Sequence, residues 1–91
     1  MRKHTINIYK IGSLRVWNII NPPREPVYFP VKSAVYGKQL INALADSQLL
    51  DKNIECNVFG MEVMEKDGEW CEWEDSEGYN ITDDECSIDK K

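Results

Sequence analysis

Apolar and polar residues alternate twice near the start of the chain, over Thr5–Ile11 and again over Leu14–Ile19. A period of two marks strands that bury one face. The Gly12-Ser13 turn signal between them predicts a hairpin. Asn21-Pro22-Pro23-Arg24-Glu25-Pro26 breaks the alternation. Proline has no N–H to give to a sheet ladder, so this segment reads as an extended loop. Val27–Val31 resumes the strand pattern, and Pro30 places it at a sheet edge or has it bond on one side only there.

The period then changes. Ser33 is a good N-cap, and Tyr36, Leu40, Ile41, Leu44 and Ala45 recur at helical spacing. They predict a helix from Ala34 to about Asp46. Gly37 weakens that helix by about 1 kcal/mol relative to alanine but allows close approach to a sheet. Leu49 and Leu50 are expected to close one end of the core. Phe59–Glu65 reads as a fourth strand, Lys66-Asp67-Gly68 as a turn and Glu69–Glu74 as a fifth strand. Tyr79-Asn80-Ile81 is a candidate sixth. The order predicts a two-layer α+β domain, one helix packed on a mostly antiparallel sheet of four to five strands. Residues 1–82 are expected to form that single domain, and 83–91 an acidic, disordered tail.

Composition agrees with one domain: 91 residues, 42% apolar, with three Trp, four Tyr and two Phe for a core. No apolar run reaches the ~18 residues that span a bilayer. The basic start, Met1-Arg2-Lys3-His4, has no apolar segment behind it, so no secretory signal is read there. Cys56, Cys71 and Cys86 are odd in number and are expected as free thiols in a reducing cytoplasm.

Charge divides the chain more sharply than the net −5 suggests. Residues 1–45 hold seven Lys or Arg against one acid. Residues 46–91 hold four Lys against fifteen acids. The two halves either neutralise each other within the fold or present separate faces to partners.

The densest chemistry is Asp67–Gly78, "DGEWCEWEDSEG". As a calcium loop with Gly78 at its sixth position, it would have Trp73 where an Asp is required and Asp84 where a bidentate Glu is required. The template fails. As a strand it sorts cleanly: Cys71 and Trp73 face the helix, while Trp70, Glu72 and Glu74 face the other way. A Trp among carboxylates on an open face is a candidate contact residue, since aromatic side chains dominate interface energetics. Trp70, Glu72 and Glu74 are therefore the expected partner-binding residues, with Arg24 of the proline loop as a second candidate. The alternative for Trp70 is packing on a neighbouring strand or on the proline loop.

Other chemistries find little. Three cysteines and His4 suit zinc by type, but no pair has metal-ligand spacing. Nothing singles out a nucleophile–base pair or a phosphate loop, so neither enzyme activity nor a cofactor is expected. The basic half interleaves Arg15, Arg24 and Lys32 with Tyr9, Trp17 and Tyr28, a pattern that can hold single strands. The acidic half would repel phosphate, which makes nucleic acid an improbable ligand. A dense acidic surface can instead occupy the basic groove of a nucleic-acid-binding protein.

The stretch from Phe29 to Trp73, with "LINALAD" at Leu40–Asp46, "FGMEV" at Phe59–Val63 and "GEWCEW" at Gly68–Trp73, resembles a family of small, largely uncharacterised bacterial, phage and prophage proteins. Some of these carry the label superinfection exclusion. The resemblance covers about half of the chain and leaves out the N-terminal hairpin and the "NPPREP" loop. It implies an accessory role in a phage context, exerted on a host or phage protein, and brings no catalytic residue.

Overall fold

A computed structural model of the chain describes residues 10–86. Four strands and one helix follow in the order β1 (Leu14–Ile20), β2 (Val27–Val31), α1 (Ala34–Leu49), β3 (Asn57–Met64) and β4 (Trp70–Glu72). All pairings are antiparallel, and the sheet order is β2-β1-β3-β4. The helix packs on one face of the sheet, so the expected two-layer α+β architecture is the one observed.

β1 is central. It pairs with β2 from Leu14↔Val31 to Asn18↔Val27, and with β3 from Leu14↔Val63 to Ile20↔Asn57. Both its edges are filled, so its hairpin partner is β2, across the Asn21–Pro26 loop, rather than a segment across Gly12-Ser13. Lys10 lies outside any strand, and Ile11 is exposed in a turn. Thr5–Tyr9, the remainder of the expected first strand, lies outside the described residues. β2 is an edge strand, as Pro30 requires.

The proline loop is anchored by Asn21, which adopts φ 51°, a left-handed conformation that asparagine tolerates well. Its Nδ2 donates to the Asn53 carbonyl at 2.8 Å. Its Oδ1 accepts from the Glu55 and Cys56 N–H groups at 2.7 and 3.0 Å. One side chain thus satisfies the backbone leading into β3.

The register fixes two faces. Leu14, Val16, Phe29, Val31, Phe59 and Met61 face the helix, where Val16, Met61 and Ile41 are buried. Burying each such side chain is worth about 1.5–3 kcal/mol. The helix starts at Ser33, whose Oγ accepts from the Tyr36 N–H at 3.2 Å. Its buried positions are Gly37, Ile41 and Gln48. A Cβ on Gly37 would run into the Met61 sulfur, so this glycine does set how closely helix and sheet approach.

Three helical expectations need correction. The helix continues past Asp46 to Leu49, held by the amide of Gln48. Leu49 and Leu50 are 81% and 86% exposed and close no core. Tyr36 is 55% exposed, because the buried stripe runs through Gly37 instead.

Gln48 belongs to a chain of three amides. Its Nε2 donates to Asn18 Oδ1 at 2.7 Å, and its Oε1 accepts from Asn57 Nδ2 at 2.7 Å. Asn18 Nδ2 donates to the Val58 carbonyl at 3.1 Å. The chain ties the last helical turn to β1 and β3. A buried polar group stripped of its partner costs about 1–3 kcal/mol. Gln48→Leu, which strands Asn18 and Asn57, is therefore expected to destabilise by about 1–2 kcal/mol in urea denaturation. A variant as stable as the parent would show the network to be dispensable.

Beyond β4 the chain turns back under the helix. Glu74 and Asn80 form a single antiparallel bridge, so the sixth strand is reduced to one contact and the fifth to three residues. The bend between them is organised by Asp75, whose Oδ1 accepts from the Glu77 and Tyr79 N–H groups. It delivers Ile81 into the core at 1% exposure, and Lys38 of the helix donates to the Ile81 carbonyl at 3.0 Å. Trp73 packs against the same cluster. Turn hydrogen bonds continue through Asp83 to Cys86. Residues 87–91 of the expected tail lie outside the described residues.

Candidate functional site

The face of the sheet away from α1 carries the side chains of opposite parity: Arg15, Trp17 and Ile19 of β1, Tyr28 and Pro30 of β2, Val58, Gly60, Glu62 and the buried Met64 of β3, and Trp70 and Glu72 of β4. At its centre Arg15 Nε donates to Glu62 Oε1 at 2.8 Å. Two rings enclose the guanidinium carbon, with Tyr28 at 3.8 Å and Trp70 at 4.1 Å to their centroids. A cation over an aromatic face is attracted by the ring quadrupole. The planar guanidinium fits between two rings while keeping an edge for a carboxylate. Arg15 and Glu62 keep only 20% and 24% of their side-chain surface exposed.

The two rings come from opposite edges of the sheet. Tyr28 is on β2 and Trp70 on β4, with β1 and β3 between them. The clamp therefore spans all four strands. Next to it the Trp17 ring lies on Gly60, where a Cβ would collide with the indole. Glycine is what lets the tryptophan lie down there. Tyr28 is 43% and Val58 40% exposed.

Trp70 and Glu72 lie on this face, as the strand period predicts. Trp70 is half-buried and pairs with Met64, so it is both a ring of the clamp and a neighbour of β3. Glu72 stands directly opposite Glu62 in the β3–β4 register and is exposed. Glu74 is exposed beyond the end of β4, at the bridge to Asn80. Arg24 is exposed in the Asn21–Pro26 loop, off the opposite end of β1 from Trp70. The sheet thus gathers Trp70, Glu72 and Glu74 along one side and leaves Arg24 apart. Arg15, Tyr28 and Glu62 were not among the expected contact residues. Their signal was the strand pattern of Leu14–Ile19, Val27–Val31 and Phe59–Glu65, but only the strand order puts them together.

The reading of Cys71 also requires correction. It has the parity of the helix face, opposite Val63, yet it is exposed, because the helix does not extend over β4. Desolvation and the carboxylates of Glu65, Asp67, Glu69 and Glu62 push its thiol above the ordinary 9.0. The thiolate is the nucleophile, so this cysteine is a poor one at neutral pH despite its exposure. In a protein carrying Ser at positions 56 and 86, the alkylation rate of Cys71 is expected to rise with pH around a midpoint above that of a cysteine in a neutral peptide. Added salt should move that midpoint toward the peptide's. A midpoint at or below the peptide's contradicts this.

Among the described residues no three His, Cys, Asp or Glu side chains converge on a point that a metal ion could occupy. Nor is any helix there long and apolar enough to cross a membrane.

Fold and face together define a small α+β domain with one side of its sheet roofed by a helix and the other left to an aromatic and charged surface. The model of the family described as superinfection exclusion gene product 17 matches residues 13–90, nearly the whole chain, and the protein belongs to that family. The match takes in β1 and the Asn21–Pro26 loop, which lay outside the resemblance read from the sequence. No curated protein and no solved structure matches the chain.

Proposed function

We propose that this protein is a non-enzymatic, cytoplasmic binding module of phage or prophage origin, which acts in superinfection exclusion by engaging a host or phage protein through the open face of its sheet. The observation that carries this reading is the face itself. Among the described residues one face of the sheet has no helix over it, and it bears Trp17, Tyr28 and Trp70 around a fixed arginine. Tryptophan, tyrosine and arginine are the residues most often found at the energetic centre of protein interfaces. Family membership supplies the phage context.

A nucleic-acid ligand is less well supported by the same geometry. The cation at the centre of the aromatic surface, Arg15, is already paired with Glu62, and Glu72 stands beside them. A phosphate chain crossing that surface would meet more carboxylate than free cation.

The reading is tested in cells that produce the protein and are challenged with phage. Protection, read as a fall in plating efficiency, is expected in the parent. It should be lost in Trp70→Ala and Glu72→Lys variants whose circular dichroism and accumulation match the parent's. Full protection by both variants would remove the open face from the mechanism.

A further inference from the structure

Among the described residues the open face has an electrostatic imbalance. Glu62 and Glu72 are direct cross-strand neighbours. Like charges in that relation destabilise a sheet. Arg15 compensates one of them, Glu62, at 2.8 Å. Glu72 is exposed and has no ion-pair partner among the described residues. Glu69 and Glu74 flank it along the chain, and from Asp67 to Cys86 the sequence contains no Lys or Arg. The same face already displays how it holds a cation: one guanidinium, two rings and a carboxylate.

Resting on the proposed binding role of this face, we infer that its partner presents an arginine-bearing protein segment, whose guanidinium groups lie along Glu72 and Glu74 at the Trp70 side of the sheet. The argument is charge complementarity joined to shape. A cation arriving at Glu72 relieves the Glu62–Glu72 repulsion that folding leaves in place, so part of the binding energy is stored in the free protein. Arginine is favoured over lysine because a plane can lie against aromatic surface and present two donors to a carboxylate at once. A neutral segment gains none of this, and an acidic one meets the repulsion of Glu72 and Glu74.

The test uses the full chain and a short synthetic peptide of alternating arginine and glycine, followed by backbone amide NMR. The expected result is a set of shifts centred on Trp70, Glu72 and Glu74. Affinity should fall about tenfold in Glu72→Lys and weaken with salt, and should change little in Asp84→Asn, an exposed turn position beyond Ile81. The matching lysine–glycine peptide should bind more weakly. Shifts spread evenly over all acidic positions, equal affinity for the lysine peptide, or an unchanged affinity in Glu72→Lys would overturn the inference.

Other occupants give distinct outcomes, each of which also overturns it. Shifts at the same amides on adding a single-stranded oligonucleotide would identify a nucleic-acid surface. The same shifts on concentrating the protein alone would identify a second copy. Shifts at the same amides in the free protein on Arg2→Gln and Lys3→Gln, with no binding of the peptide, would identify the chain's own N-terminal segment as the occupant. Failure here, with protection still lost in the Trp70→Ala and Glu72→Lys variants, would leave the binding face in place and reject only the chemistry of its partner.

Discussion

Replacing Ile81 by alanine is expected to lower the free energy of unfolding by about 2–4 kcal/mol. The residue belongs to no strand or helix, and its segment makes a single bridge at Asn80. Yet it is 1% exposed and packs in the cluster of Val16, Ile41 and Met61. Its truncation leaves a cavity where helix, sheet and returning chain meet. A domain of this size has about 5–10 kcal/mol in total, so the loss is a large part of it. Each kcal/mol should lower Tm by about 4–8 °C. Leu49→Ala, at a residue 81% exposed, is the control and should stay within about 0.5 kcal/mol of the parent. If the two variants unfold at the same urea concentration, the returning segment is not part of the core.

Arg15→Ala is expected to cost about 1.5–3 kcal/mol. The substitution removes a charge-assisted hydrogen bond and two ring contacts, and it leaves Glu62 partly buried opposite Glu72 with no compensating cation. Arg15→Lys should recover only part of the loss, because an ammonium cannot stack between Tyr28 and Trp70 and donate sideways to Glu62 in the same way. Combined with Trp70→Ala in a double-mutant cycle, Arg15→Ala should show a coupling of about 0.5–1 kcal/mol, the worth of one cation–ring contact. Chemical denaturation of the four proteins measures all of these. Lysine as stable as arginine, or zero coupling, would mean that the clamp is an adornment of the surface rather than a tie across four strands.

These two residues also mark the boundary of what local pattern reveals. Period-two alternation correctly sorted Trp70 and Glu72 onto one face and Trp73 onto the core side, because side-chain direction in a strand depends only on position along it. The Ser33 cap, the close approach at Gly37, the edge assignment from Pro30 and the Asp67-Gly68 turn were equally legible, since each follows from the backbone chemistry of one or two residues. The reading of Cys71 failed for a different reason. Its direction was right, but exposure depends on how far the helix reaches across the sheet.

The sequence by itself determined the helix and the four strands observed, the two-layer class and the parity of the acidic strand, all of which rest on interactions within a few residues. The tertiary structure decided the rest. It made β1 the centre of the sheet, brought Arg15 to Glu62 across 47 positions and Gln48 to Asn18 across 30, buried Ile81 and left Leu49 and Leu50 in water. Strand order and register follow from the packing of the whole chain at once, and no window of the sequence contains them.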